Sequence, residues 1–159
     1  MHTQMPRQEA RLLDSLDDAL VGVRRLSQRP GYRRRLLAGL DLPGGPGTIR
    51  VLRAVERSAR SAPSIGEVAA ALGLDPSTTS RVVDRCVVGG LLAREPHPGD
   101  RRRTHLSLTD AGDELLRAAT TNRRALLAEA TADWTAPDLK RLVELLRTLN
   151  EGFGRLDGW

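Results

Sequence analysis

Residues 64–85 read Ser-Ile-Gly-Glu-Val-Ala-Ala-Ala-Leu-Gly-Leu-Asp-Pro-Ser-Thr-Thr-Ser-Arg-Val-Val-Asp-Arg, and they leave this chain little freedom in what it can build. Ser64 and Glu67 have the Ser-x-x-Glu spacing of a capping box, which satisfies two of the backbone N–H groups left over at a helix start. Val68, Ala69 and Leu72 recur at helical spacing, and Ala69 is small where a second helix would cross. Gly73 comes next, where the chain must turn and a left-handed conformation costs glycine little. Leu74 is expected to plug that turn into the core. Asp75 is the next cap, and Pro76 takes the first helical position, where a missing N–H does no harm. The expectation is two short helices joined by a tight turn.

In the second helix Thr79, Val82, Val83 and Cys86 fall three and four apart and face inward. Ser77, Thr78, Ser80 and Arg81 are left outside, with Asp84 and Arg85 one turn on. Small hydroxyls, and an arginine able to grip guanine O6 and N7 or a phosphate, suit the reading of a DNA major groove. A capped helical hairpin with a polar outer face also occurs in ordinary small helical proteins, so the hairpin alone does not decide the matter. The next stretch of chain weighs more. Residues 90–95 and 104–108 can pair as antiparallel strands, since Leu106 and Leu108 alternate with polar neighbours. Between them Pro96, Pro98 and Gly99 make a turn that Arg101, Arg102 and Arg103 load with charge. A narrow arginine-bearing loop fits a minor groove or lies along phosphates. Asp100, in the middle of that charge, suits an internal partner that orients Arg102 by a paired hydrogen bond. The plainer reading is a solvated charged hairpin. Together the parts describe a mainly α chain with a small β-hairpin wing, a winged helix-turn-helix.

Three runs carry a family resemblance: Pro-Ser-Thr-Thr-Ser-Arg-Val-Val-Asp-Arg, then Gly-Leu-Leu-Ala-Arg, then Asp-Arg-Arg-Arg-Thr-His-Leu-Ser-Leu-Thr-Asp-Ala-Gly112. They resemble the MarR family of bacterial transcriptional regulators, most specifically in the Asp-Arg-Arg wing followed by Leu-x-Leu-Thr-x-x-Gly. The resemblance is firm over residues 49–116 and looser at the helical ends. It implies a homodimeric repressor or activator, with a repressor the expectation here, that binds palindromic operators in double-stranded DNA and is often released by a small-molecule effector or by oxidation. On matching positions it implies that Ser77, Thr78, Ser80 and Arg81 face the major groove, that Arg102 enters the minor groove, and that Asp100 supports it. Arg85, Arg101 and Arg103 complete the expected DNA-binding set. The chain departs from the family where Cys86 replaces the usual leucine, a substitution that suits a small core side chain. Val87 and Val88 stand where charged residues are common. Gly44, Gly45, Pro46 and Gly47 replace bulkier residues that often line the family's effector pocket, so the usual aromatic ligand does not carry over.

The ends of the chain supply what a small winged lobe lacks. Residues 7–28 place Leu12, Leu13, Leu16, Ala19, Leu20, Val23 and Leu26 on one helical face. Residues 136–153 do the same with Leu139, Leu142, Val143, Leu145, Leu146, Leu149 and Phe153, after a Thr135-x-x-Asp138 cap. A third amphipathic helix is expected from about Asp110 to Ala132, capped by Thr109. These stripes call for a partner, which the resemblance makes a second copy; folding back on their own lobe is the competing arrangement. The expected layout is one MarR-like domain over 1–159, with a DNA-binding lobe at 46–108 and helical dimerisation regions at 7–40 and 109–153. Residues 29–35 and 43–47 are the expected breakpoints, the second a flexible link ahead of a helix through Ile49, Val51, Leu52, Val55 and Ala59.

Charge agrees with an anionic partner. The formal net charge is +5, and 24 of the 25 basic residues are arginine, which favours salt-sensitive attraction to phosphates. One cysteine excludes an internal disulfide. No run approaches the length of a membrane span and the first residues hold no apolar signal core, so a cytoplasmic protein without membrane contact is expected. An enzyme is disfavoured: His2, His97 and His105 are scattered, no nucleophile elbow or phosphate-binding glycine loop occurs, and no cofactor or metal is expected. Asp17-Asp18 and Asp113-Glu114 are helix neighbours that point apart. With only four aromatic residues, a stacking array for single strands is absent. The remaining alternative is a winged-helix module that binds protein and would tolerate loss of Arg81 and Arg102.

Overall fold

The structure, a computed structural model, describes residues 7–59, 63–97 and 100–156; the side chains of residues 97, 100–103 and 156 lie outside that description. Its helices are α1 (Arg7–Gln28), α2 (Pro30–Leu36), α3 (Thr48–Arg57), α4 (Ile65–Leu72), α5 (Pro76–Val88), α6 (Asp110–Ala130) and α7 (Ala136–Leu156). A hairpin of β1 (Leu92–His97) and β2 (Asp100–Leu108) lies between α5 and α6. This is the winged helix-turn-helix with helical ends that the sequence implies. The chain divides into two compact units, one running to Arg123 and one from Arg124 onward.

In the first unit the core gathers Ile49, Val51, Leu52 and Val55 of α3, Val68 of α4, Val83 and Cys86 of α5, Leu92 and Leu106 of the hairpin, and Leu116 and Ala119 of α6. Leu52, Val83 and Cys86 have no exposed surface. Burying each large aliphatic side chain here is worth about 1.5–3 kcal/mol. The capping box forms: the Ser64 hydroxyl accepts from Glu67 N at 3.3 Å, and Glu67 Oε2 accepts from Ser64 N at 2.7 Å. Gly73 ends α4 at φ 62°, the left-handed turn that lets α5 start. Leu74 stays half-buried outside the core cluster; Ile65 and Leu72 pack there instead. The strands pair antiparallel, with Leu92 opposite Leu108 and Arg94 opposite Leu106, and reach further toward the tip than expected.

The motif Leu-x-Leu-Thr-x-x-Gly proves to be a joint. The Thr109 hydroxyl donates to the Gly90 carbonyl at 2.6 Å and accepts from Gly112 N at 3.1 Å. A Cβ on Gly112 would stand 2.2 Å from the Leu91 carbonyl oxygen. Only glycine lets α6 begin so close to the wing's base.

Two breakpoints come out differently. The first narrows to a single residue: α1 ends at Gln28, Arg29 is extended at ψ 134°, and α2 starts at once because Pro30 at the first helical position is already set at a helical φ. Asn122 of α6 donates from Nδ2 to the Leu36 and Ala38 carbonyls at 3.1 and 3.0 Å and ties off the end of that helix. Residues 43–47 are not a loose link. A turn at Pro43 and Gly44 leads into a 3₁₀ helix over Gly45–Gly47, with Gly44 buried against Val82 and its N–H donating to Thr48 Oγ1 at 3.1 Å. Helix α3 ends at Arg57, short of Ala59.

In the second unit α7 opens on the expected cap, Thr135 Oγ1 donating to Asp138 Oδ2 at 2.6 Å. Its Leu142, Val143, Leu145, Leu146 and Phe153 are exposed, as are Leu12, Leu13, Leu16, Val23 and Leu26 of α1. None of the described helices is long and apolar enough to cross a membrane.

Candidate nucleic-acid interface

Helix α5 is held at its start by Asp75. Its carboxylate accepts from the Ser77 hydroxyl at 2.6 Å and from Thr78 N at 2.8 Å. These bonds, the Ser77 hydroxyl first, keep the Asp75 carboxyl far below the usual carboxylate range. The Ser77 proton is thereby committed, and the oxygen offers lone pairs to a donor on a base edge. Thr79 is fully buried, with its hydroxyl donating back to the Asp75 carbonyl at 3.1 Å.

Ser77, Thr78, Arg81 and Arg85 are exposed, and Ser80 is half-buried. Counted at 100° per residue, Ser77, Arg81, Asp84, Arg85 and Val88 share one narrow arc, with Thr78 and Ser80 at its two edges. Val88 is 91% exposed, whereas Val87 turns inward against the core. Opposite charge on this arc comes from Asp84 alone, and Arg94 of β1 pairs with it. That pair, unforeseen in the sequence, spans ten residues and two elements, a separation at which no local spacing rule applies. It ties the outer helix to the base of the wing and cancels the carboxylate that would repel a phosphate.

The backbone of residues 100–103 continues β2 at the wing's outer end. The expected pairing of Asp100 with Arg102, and the side chains of Arg101 and Arg103, lie outside the described residues. At the wing's base Glu95 Oε1 accepts from the Ser107 hydroxyl at 3.2 Å, and Glu95 lies opposite His105. Cys86 is buried beneath the same helix. Burial pushes its thiol up, against a weaker opposite effect of the Thr48 hydroxyl, so the sulfur stays protonated and fills space. On another side of the lobe a cleft of about 440 Å³ is lined by Leu36, Leu37 and Ile49 together with Arg33, Arg50 and Arg123.

The sequence profile of the MarR family matches residues 39–103, the span from the end of α2 through the wing. An HTH-type transcriptional regulator of Mycobacterium tuberculosis (strain CDC 1551 / Oshkosh) is 30% identical over 125 residues, covering 78% of this chain and 80% of that protein. The chain belongs to the MarR family. An uncharacterised HTH-type regulator of Mycobacterium bovis matches this MarR-family chain to the same extent. Solved structures share the fold: a MarR family protein from Bacillus stearothermophilus superposes with TM-score 0.75 at 21% identity, over 94% of this chain and 99% of that one. MepR of S. aureus, in its structure bound to ethidium bromide, superposes with TM-score 0.59 at 16% identity over 84% of this chain and 95% of that one. The protein is thus a MarR-family transcription regulator, of a class that acts through DNA rather than by catalysis.

Proposed function

We propose that this regulator is a homodimeric repressor that binds a palindromic operator in double-stranded DNA and is released by a small-molecule effector. The observation that carries the reading is the exposed arc of α5, where Arg81 and Arg85 stand beside the hydroxyls of Ser77 and Thr78 and the single acid is neutralised by Arg94. In this reading Arg81, with Ser77, Thr78 and Ser80, reads base edges. Arg85, Arg101 and Arg103 lie against phosphates, and Arg102, oriented by Asp100, enters the minor groove. The lobe is residues 46–108. Residues 7–40 and 109–153 build the dimer, which sets two reading helices roughly 34–36 Å apart, one turn of DNA. The exposed stripes of α1 and α7 support a partner of the same kind. For the effector, MepR with its ethidium supplies the precedent of a bound ligand, and Arg33, Arg50 and Arg123 among the residues lining the 440 Å³ cleft favour an anionic one.

The test is selection of bound fragments from the source genome by the purified protein, compared with Arg81→Ala and Arg102→Ala. A palindrome with half-sites one turn apart is expected. Arg102→Ala should weaken all binding, and Arg81→Ala should also relax base preference, by about 1–3 kcal/mol per lost bidentate contact. Equal affinity of both variants and the parent would overturn these roles. No enrichment at moderate salt would move the assignment to a protein-binding module.

A further inference from the structure

Arg50, Arg53 and Arg57 occupy positions i, i+3 and i+7 of α3, so their side chains leave one side of the helix within a narrow arc. Like charges at this spacing destabilise a helix unless something compensates. Among the described residues no carboxylate pairs with any of the three. Their partners are neutral oxygens: Arg50 Nη2 donates to the Leu72 carbonyl at 3.2 Å, and Arg53 Nη2 donates to Thr120 Oγ1 at 3.2 Å. Arg53 is half-buried, and its Nε is a buried donor with no hydrogen-bond partner in the structure. A buried N–H of a charged group left in this state is costly, and such groups concentrate where a ligand completes them.

The three arginines line a cleft of about 360 Å³ between α3 and the end of α4, together with Ala54, Ser58, Ala71 and Leu72. We propose that this cleft is an oxyanion site that takes a phosphate group. Planar guanidiniums bind a tetrahedral oxyanion through paired N–H donors, and the surplus of donors over acceptors here matches a group that offers only acceptors. The site lies on α3 and α4 and uses none of the residues assigned to base or groove reading on α5 and the wing. Its phosphate comes either from a free phosphorylated metabolite or from the backbone of bound DNA.

Calorimetric titration of the full-length protein with pyrophosphate, in a phosphate-free buffer of low salt, tests the proposal. Saturable binding is expected, weakened at least tenfold in Arg53→Gln and in the exposed variant Arg57→Gln, and unchanged in Arg147→Gln on α7. Because Arg53 is part-buried, circular dichroism melting accompanies it, and Arg57→Gln carries the test if Arg53→Gln does not fold. The salt dependence of DNA binding separates the two sources. A fall of about 0.9 in the slope of log K against log salt in Arg57→Gln assigns the phosphate to DNA. An unchanged slope with lost pyrophosphate binding assigns it to a metabolite. Absence of saturable pyrophosphate binding together with an unchanged slope overturns the site, and does so whether or not α5 and the wing read an operator.

Discussion

Helices α3 and α7 carry the same kind of pattern and reach opposite ends. Val51, Leu52 and Val55 are between 0% and 1% exposed, whereas Leu142, Val143 and Leu146 are between 37% and 46% exposed. Both stripes recur at helical spacing and both helices bear arginines on the remaining face. The difference is company. Helix α3 has α4, α5 and β2 packed on it within its own compact unit, whereas among the described residues no element packs on α7 to that extent. Periodicity therefore announces that a face is to be covered and is silent about what covers it.

Substitutions can break this contrast or sharpen it. Leu52→Ala should cost about 2–5 kcal/mol, read as a fall in the thermal or denaturant midpoint, because it opens a cavity in a closed core. The double change Leu142→Asp with Leu146→Asp should leave the first unit's melting nearly untouched. If α7 belongs to the proposed dimer, it should turn the protein into a monomer in sedimentation and weaken operator binding at least a hundredfold, about 2.7 kcal/mol. Unchanged sedimentation would show that α7 is not the covered face. Asp84→Asn releases Arg94, an exposed pair worth roughly 0.2–1 kcal/mol in stability. It should slightly lower the melting temperature and alter DNA affinity through the wing's aim, a split visible by measuring both.

The smallest effect compares the caps of the two regions. Asp75 and Asp138 are both held below the ordinary carboxyl value, Asp75 by Ser77 and Thr78, Asp138 by Thr135. A depressed pKa stabilises the fold in full above the unfolded value, about 3.9, and the contribution fades as pH falls from there toward the folded value. Melting between pH 5 and pH 2.5 should therefore decline less steeply in Asp75→Asn than in the parent. Parallel curves would remove the cap from the account.

Much of the fold was legible because it is local. The Ser64–Glu67 box, Gly73, the Asp75 cap and the bounds of α1 come from spacing within one or two turns. The features that stayed hidden depend on residues far apart in the chain. The Pro30-Gly31 pair reads as a breaker, yet the helix it starts is secured by Asn122 from another element. Three glycines and two prolines read as a hinge, yet Gly44 is pinned by Val82 of α5. On the candidate interface the outward arc of α5 was readable from its period of 3.6. The Asp84–Arg94 tie was not, since it is set by where the hairpin comes to lie.

Cys86 turns the lobe into its own reporter. It is the chain's single cysteine, it has no exposed surface, and its thiol is held protonated. A thiol reagent can reach it only when α5 lifts from α3, so the labelling rate in native buffer measures how often the lobe opens. Bound DNA that grips α5 should slow that clock, giving a readout of occupancy that needs no added fluorophore or tag.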